Sequence, residues 1–340
     1  MGLSNLSLKP VAVEGSPLEG PSLAPVVEYQ IGAVCAYPQV SLARSWNSPS
    51  GNFIEQSIQF FLFLCALSSV LTTFGIVFIL LKEMLGFFSV VSIWEFVTGT
   101  EWFPLLSPAR FGIMPLVSGT LMIALGSCLI AIPVGLLIAI FLSEYCPRVF
   151  RVVLKSTLEL LAGVPTVVYG YLALTFITPQ LVKIFPQIEV FNALSACIVV
   201  GIMIIPTVAS VTEDALHSVP AYLRDAGYGL GMRRYQIVSS IVFPAALSGF
   251  VASIILGLSR AIGETMAVTL AAGASPKLTF NFLESIQTMT AFIVQVSQGD
   301  TPAGTIEYQS IFVVGFCLFI MTLGTNLVAQ FIVRRIHHRI

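Results

Sequence analysis

An arginine and a glutamate lie four positions apart in a stretch that is otherwise apolar or small, Leu256–Val268, with the sequence LGLSRAIGETMAV. In a helix, residues four apart are neighbours on one face, so Arg260 and Glu264 are expected to face the same way. An ionisable side chain inside a membrane span is costly and usually faces a protein interior or a wet cavity. Because arginine stays charged and offers two parallel donors to a tetrahedral oxyanion, the pair predicts an anion pathway.

The competing interpretation is an internal ion pair that fixes helix packing and contacts no substrate. The two roles are compatible if Glu264 holds Arg260 at rest and then yields it to an anion. Small residues lie around the pair and would allow close helix approach or leave room for an ion: Gly257, Ala261, Gly263 and Ala267.

The composition indicates that these residues lie in a membrane. The 340 residues are 56% hydrophobic and 10% charged, whereas soluble chains carry about 25% charged residues. Long apolar runs must satisfy their backbone polar groups within helices, so the fold class is predicted to be an all-α polytopic membrane protein. No basic patch of nucleic-acid size occurs, which excludes nucleic acid as a partner. None of the six cysteines has CxxC spacing, so no metal site, redox site or other cofactor is predicted.

The apolar runs predict six transmembrane helices. The fifth exceeds the ~20 residues that a bilayer needs, so it is expected to start in the cytoplasm or to be bent. The predicted spans are Ile58–Leu81, Pro115–Leu142, Leu154–Ile177, Ala193–Val211, Ile237–Ala272 and Ser310–Val333. The loop Ser275–Gln309 has a moderately apolar centre, Ile286–Val296, and whether it is re-entrant is left open.

Basic residues predict the orientation. With both termini inside, eleven Lys and Arg residues fall on the cytoplasmic side and four outside, since Arg260 lies within a span. Residues 1–56 are rich in Pro, Ser and Gly without sustained periodicity and are interpreted as a disordered cytoplasmic tail. The transmembrane domain is expected to cover residues 57–336. Trp102, in the wet aromatic stretch after the first span, is expected at the outer membrane interface, either on an amphipathic element or in a plain aromatic belt.

A polar segment at residues 213–236 is predicted to be the cytoplasmic docking element. Its apolar residues recur at helical spacing, and its charged residues fall on other faces, where simple solvation is the alternative: Glu213, Asp214, Arg224 and Asp225. A short helix is expected to end near Gly231, because glycine readily takes the turn conformation that ends helices. Glu144 is expected at the membrane interface. No Gly-Lys dipeptide occurs, so the chain has no phosphate-cradling loop for ATP and would need a separate ATPase.

The stretch Arg224–Pro244, RDAGYGLGMRRYQIVSSIVFP, resembles the cytoplasmic loop of ABC-importer permeases. Their consensus is Glu-Ala-Ala, three residues, Gly, nine residues and Ile-x-Leu-Pro. Here Asp225 stands for Glu, Gly227 for the second Ala and Phe243 for Leu, with the spacing kept throughout. The resemblance implies that the coupling to an ATPase is carried by Arg224, Asp225, Ala226, Gly227, Gly231 and Pro244.

Three further stretches, together with the coupling loop, resemble the PstC family of phosphate-importer permeases over about residues 60–335. They are GTEWFP after the first span, AGVPTVVYGY at Ala162–Tyr171 and SRAIGETMAV at Ser259–Val268. The resemblance implies a type I ABC importer permease fold in the bacterial inner membrane. Arg260 and Glu264 match the family's intramembrane charged pair and would line the substrate pathway.

The partners are also implied by the resemblance. They are a sister permease (PstA-like), two copies of an ATPase (PstB-like) and a periplasmic phosphate-binding protein (PstS-like), with inorganic phosphate as the substrate. The chain itself would be a transport subunit and not an enzyme. The alternatives are a permease for another oxyanion (molybdate, tungstate or sulfate) and a non-conducting membrane subunit that signals phosphate status.

Overall fold

A computed structural model describes residues 51–104, 106, 108–299, 301–302 and 304–337. The predicted cytoplasmic tail therefore lies almost wholly outside the described residues. The chain divides into two units, of which the first ends at Leu67 and the second begins at Ser68. In the first unit, the structure describes the beginning of one long helix. The cores and the sites described below all lie in the second unit.

The described residues are almost entirely helical. Two strands of two residues each, β1 (Trp102–Phe103) and β2 (Arg110–Phe111), pair antiparallel, with Trp102 opposite Phe111. Short π-helical segments follow three of the helices, at Phe141–Tyr145, Ala173–Ile177 and Val238–Val242. In chain order the helices are α1 (Gly51–Phe88), α2 (Ile93–Thr98), α3 (Met114–Ile140), α4 (Arg148–Ala162), α5 (Thr166–Leu172), α6 (Thr178–Ile184), α7 (Ala193–His217), α8 (Ala221–Gly229), α9 (Arg234–Ile237), α10 (Phe243–Ala245), α11 (Leu247–Gly263), α12 (Met266–Ala272), α13 (Met289–Gln298) and α14 (Ile306–His337).

Within the described residues, five helical stretches are long and apolar enough to cross a membrane, and a bent pair makes a sixth. The bent pair, Arg234–Ala245 with Leu247–Gly263, turns by 70°. The bend lies within the fifth predicted span, and if the pair counts as one span, the described residues contain the predicted six. The five continuous spans are Glu55–Phe88, Met114–Tyr145, Thr166–Ile184, Ala193–His217 and Ile306–Val333.

The predicted third span, Leu154–Ile177, is wrong in its position. Residues up to Ala162 belong to α4, a separate helix, and the span that qualifies begins at Thr166. The sequence Gly163-Val164-Pro165 separates the two helices. Pro165 disfavours helical geometry at the residue before it and itself takes the extended conformation that opens α5.

The core of the bundle is formed by α3, α7 and α11, which pack against one another. Its contacts rely on small residues, because a Cβ on Gly201 would meet Ile130, and one on Gly257 would meet Ile204 and Val208. Such residues let helix backbones approach closely where lipid offers no hydrophobic gain for association. Arg260 lies near the end of α11, one of these three core helices.

A second core is aromatic and gathers the short elements after α1. The Trp102 ring packs edge to face against the rings of Phe96, Phe111 and Phe292, and Phe87 packs in the same way against Phe96 and Phe111. The ring centroids in these pairs are 5.0 to 6.3 Å apart. Trp102 is only 1% exposed, so its ring does not face the lipid as in a plain aromatic belt, and its depth relative to the membrane stays a prediction. It belongs to this core because β1 turns its side chain inward.

The loop between the last two predicted spans contains a buried helix, α13. Thr288 caps it, since its hydroxyl accepts a hydrogen bond from the Ala291 N–H. The helix packs against α3 and α14, and Met289 and Phe292 are buried. The apolar centre of the loop therefore enters the protein.

Candidate functional site

The predicted docking segment is divided by a turn. Helix α7 ends at His217, and α8 begins at Ala221 after Pro220, which takes an extended conformation. A proline has no N–H for a helical hydrogen bond, so the helical spacing of apolar residues across this point does not continue one helix. Helix α8 ends in the expected place. Gly231 has φ 75°, and Met232 and Gly231 donate to the carbonyls of Gly227 and Tyr228, which is the pattern of a Schellman cap.

Arg224 faces the protein and not the solvent. Its guanidinium donates to the Glu144 carboxylate at 2.9 and 3.1 Å, and to the carbonyls of Leu216 and Val219 at 2.8 and 2.6 Å. Glu144 is 7% exposed, so its carboxylate is buried in the protein, one residue before the end of the candidate span Met114–Tyr145; its interfacial position stays a prediction. One side chain on α8 thus ties together the π-helical segment after α3 and the end of α7.

The rest of the segment separates into an inner and an outer face. Gly227 is buried, and a Cβ there would lie 3.0 Å from side-chain carbons of both Ile237 and Ile241. This contact gives a packing reason for glycine where the ABC-importer consensus has alanine. Asp225 and Ala226 are exposed, and so is a set of large side chains and turn residues: Tyr222, Tyr228, Leu230, Gly231, Tyr235 and Pro244. The coupling role of the whole set stays a prediction.

Replacing Arg224 with methionine is expected to destabilise the protein by about 2–3 kcal/mol, because it leaves the buried Glu144 carboxylate without a partner. The thermal unfolding of the detergent-solubilised protein measures this loss. Arg233→Met is the matched control, since Arg233 is exposed in the same segment. The double variant Glu144→Leu/Arg224→Met is expected to recover part of the loss. Equal melting temperatures of Arg224→Met and the Arg233 control would contradict the assignment.

A second buried charge lies at the end of α7. The side chain of Glu213 is only 1% exposed and pairs with Arg151 and with Lys155, the latter at 2.8 Å. Lys155 also pairs with Asp214 at 2.7 Å. These hydrogen bonds, first to Asp214 and then to Glu213, raise the pKa of Lys155 above its ordinary value. The alternative of a solvated face is wrong for Glu213, because α4 packs its basic residues against it.

Arg260 and Glu264 do not share a helix face. Helix α11 ends at Gly263, and Glu264 has an extended backbone with φ −68° and ψ 133°. Its carboxylate accepts a hydrogen bond from the Ala267 N–H at 3.2 Å, and its carbonyl accepts one from the Thr290 hydroxyl at 2.7 Å. The expected i, i+4 arrangement is therefore wrong, because the helix stops one residue before the glutamate. Glu264 is 8% exposed and joins α11, α12 and α13.

Arg260 instead contacts two groups that the sequence did not suggest. Its Nη1 donates to the Thr207 hydroxyl oxygen at 3.1 Å, and its Nη2 to the Ala162 carbonyl at 3.5 Å. No ion pair of the described residues includes Arg260. The available signals were weak: Thr207 is one of several hydroxyl residues in its span, beside Ser195, Ser210 and Thr212, and Ala162 acts through its backbone.

The Ala162 carbonyl belongs to the last turn of α4, where helix carbonyls lack partners and carry partial negative charge. The neighbouring carbonyl, Leu161, accepts a hydrogen bond from the buried Tyr169 hydroxyl at 2.8 Å. The guanidinium is therefore held by dipoles and not by a carboxylate. Among the described residues, no cluster of three or more His, Cys, Asp and Glu side chains could hold a metal ion.

The family model described as "Binding-protein-dependent transport system inner membrane component" matches residues 131–340 of this sequence. The chain belongs to this family. It is thus a component of a transport system, embedded in a membrane by several spans.

Similar curated proteins include permeases of the expected kind. The probable ABC transporter permease protein YqgH of Bacillus subtilis is 32% identical over 273 residues, which cover 80% of this chain and 88% of the relative. The phosphate transport system permease protein PstC of Xylella fastidiosa is 33% identical over 265 residues, which cover 72% and 80%. PstC 1 of Mycobacterium tuberculosis is 32% identical over 277 residues, which cover 71% and 82%. The resemblance to the PstC family is confirmed.

Solved structures share the fold at low sequence identity. The bacterial alginate ABC transporter, in complex with an alginate pentasaccharide-bound periplasmic protein, aligns with a TM-score of 0.60 and 15% identity over 84% of this chain and 97% of that one. The MetNI methionine ABC transporter in an inward-facing conformation aligns with a TM-score of 0.51 and 18% identity over 65% and 95%. These alignments confirm the all-α type I ABC importer permease fold.

Proposed function

We propose that this family member is the membrane permease subunit of an ATP-driven importer of inorganic phosphate and forms the translocation pathway with a sister permease. Arg260 carries the proposal. It is a permanent cation in one of the three core helices, it is only partly buried, and within the described residues it has no carboxylate partner. A cation left with dipoles alone is available to a passing anion. The similarity to PstC proteins supports phosphate as that anion.

The energy for transport comes from a separate ATPase in this proposal. The sequence has no nucleotide-binding loop, and the exposed face of α8 offers Asp225 and Ala226, in the register of the ABC-importer coupling loop, to a cytoplasmic partner. The remaining subunits are a sister permease, a second copy of the ATPase and a periplasmic phosphate-binding protein. The family description supports an inner-membrane location, and the bias of basic residues supports an orientation with both termini inside.

In this proposal Glu264 does not pair with Arg260 at rest; it has a structural role. Its carboxylate is bound to the backbone at the start of α12, so it fixes the break after α11. That break sets where the end of α11, and with it Arg260, faces the pathway. A direct contact between Glu264 and substrate stays a prediction.

The test is reconstitution of the full complex in proteoliposomes, with ATP inside the vesicles. Radiolabelled phosphate is expected to accumulate only when the binding protein is outside, and the ATPase rate is expected to rise with bound phosphate. Competition by sulfate, molybdate and tungstate identifies the cargo. Accumulation of phosphate by vesicles that hold this chain alone, driven by a proton or sodium gradient, would overturn the proposal.

A further inference from the structure

The Thr207 hydroxyl differs from those of most other threonines inside the helices of the described residues. The usual arrangement returns the hydroxyl to a carbonyl three or four residues earlier in the same helix. Threonines that do so are Thr72, Thr73, Thr98, Thr120, Thr157, Thr175, Thr269, Thr322 and Thr325. Within the described residues, the Thr207 hydroxyl does not donate to a carbonyl of its own helix. Its oxygen instead accepts a hydrogen bond from Arg260.

This leaves the hydroxyl hydrogen of Thr207 free to donate. A threonine hydroxyl has one donor and two acceptor lone pairs, and the bond from Arg260 occupies one lone pair. Thr207 and Arg260 are both only partly buried, so their shared surface is open to a ligand or a neighbouring subunit. An arginine N–H and a threonine O–H side by side match two oxygens of a tetrahedral oxyanion.

The depth of the pair along the helices fits a site within the membrane. Thr207 lies about 21 Å from the start of α7 at Ala193 and about 15 Å from its end at His217, at 1.5 Å per residue. Arg260 lies about 20 Å from the start of α11 at Leu247. Thr207 is thus well inside the candidate span Ala193–His217, and its contact with Arg260 brings the guanidinium to the same depth, three residues before the end of α11 at Gly263.

We propose that Thr207 is the positioning residue for Arg260 and, through its free hydroxyl hydrogen, a second contact for the oxyanion that passes through the protein. The Ala162 carbonyl at the end of α4 holds the other side of the guanidinium, at the longer distance of 3.5 Å. Because this second contact is weak, an incoming anion oxygen can replace it while Thr207 keeps the guanidinium in place. This inference rests on the proposed transport function and deepens it.

The experiment uses the reconstituted complex of all subunits and measures labelled phosphate transported per ATP hydrolysed. Thr207→Val keeps the shape but removes the hydroxyl, and it is expected to lower this ratio about tenfold. Thr207→Ser keeps the hydroxyl and is expected to stay within about twofold of the unmodified protein. The recovery of the assembled complex is expected to be unchanged in both variants.

The matched control is Thr212→Val, five residues further along the same helix. Thr212 is buried, and its hydroxyl bonds to Ser253 of α11 at 2.8 Å, away from Arg260. A merely structural role for interhelical hydroxyl bonds predicts that Thr212→Val lowers the transport ratio as much as Thr207→Val, and that outcome would overturn the inference. So would an unchanged ratio in Thr207→Val, or a loss in Thr207→Ser as large as in Thr207→Val.

Failure of the proposed function has a different outcome. If the unmodified complex transports sulfate or molybdate and not phosphate, the cargo assignment falls, and the Thr207 variants are measured with the transported ion. The expected loss in Thr207→Val is then the same. If the unmodified complex transports none of these anions, both proposals fall.

Discussion

Replacing Arg260 with glutamine is expected to lower phosphate uptake by at least about a hundredfold while the complex still assembles. Glutamine removes the charge but can still donate a hydrogen bond towards Thr207. An anion beside this position in a site of low dielectric then lacks the charge of Arg260, which no carboxylate of the described residues neutralises. Uptake of labelled phosphate by cells or proteoliposomes measures the loss, and co-purification of the other subunits measures assembly.

The same substitution at an exposed arginine serves as the control. Arg110 lies on β2 and is exposed, so Arg110→Gln is expected to retain normal uptake. Arg260→Lys is expected to fall between the two, because lysine keeps the charge but not the two-donor geometry. Normal uptake by Arg260→Gln would refute the pathway role of Arg260 and leave a structural bond to Thr207 as its function.

The absence of a carboxylate beside Arg260 changes the mechanism that the sequence suggested. A glutamate bound to the arginine at rest would have to be displaced by each anion, at the cost of a charge pair in a medium of low dielectric. One helix carbonyl, that of Ala162, and the Thr207 hydroxyl hold the guanidinium more weakly and leave its charge uncompensated. The geometry is therefore closer to a site prepared for an anion than to a closed ion pair.

The membrane architecture was largely predictable, and the reason is physical. Backbone groups in lipid must bond within helices, so long apolar runs such as those of α3, α7 and α14 could be read as spans directly. The third span was misplaced because hydropathy does not register a helix break, and Gly163–Pro165 divides an apolar run in two. Glu264 is expected on a continuous α11 for the same reason, since hydropathy does not show that the helix ends at Gly263.

Contacts between distant parts of the chain could not be predicted. Glu144 and Arg224 are 80 residues apart, and nothing in either segment indicates the other. The burial of Glu213 also could not be predicted, because it depends on Arg151 and Lys155, which lie on α4. A charged residue near a membrane boundary is ordinarily solvated, so the sequence gives no reason to expect these side chains inside the protein. In contrast, Gly231 was predicted correctly, because a helix cap depends on local backbone geometry alone.

Reversing the charge of Asp225 is expected to release the ATPase subunits without unfolding the permease. Asp225 is exposed on α8, one turn of sequence from the exposed Tyr222 and Tyr228, whereas its neighbour Arg224 is committed to contacts inside the protein. Asp225→Lys is therefore expected to reduce the co-purified ATPase by at least about tenfold, through like-charge contact or a lost ion pair at the interface. Uptake is expected to be lost with it.

Two comparisons separate a docking effect from damage to the fold. Asp225→Asn removes the charge without reversing it and is expected to give a smaller loss, whereas Glu101→Lys reverses an exposed charge outside the segment and is expected to give none. The thermal stability of Asp225→Lys is expected to match that of the unmodified protein, unlike that of Arg224→Met. Full retention of the ATPase by Asp225→Lys would mean that the exposed face of α8 does not bind the ATPase subunits. The inward-facing bonds of Arg224 would then stabilise the ends of α3 and α7 and transmit no force from a partner.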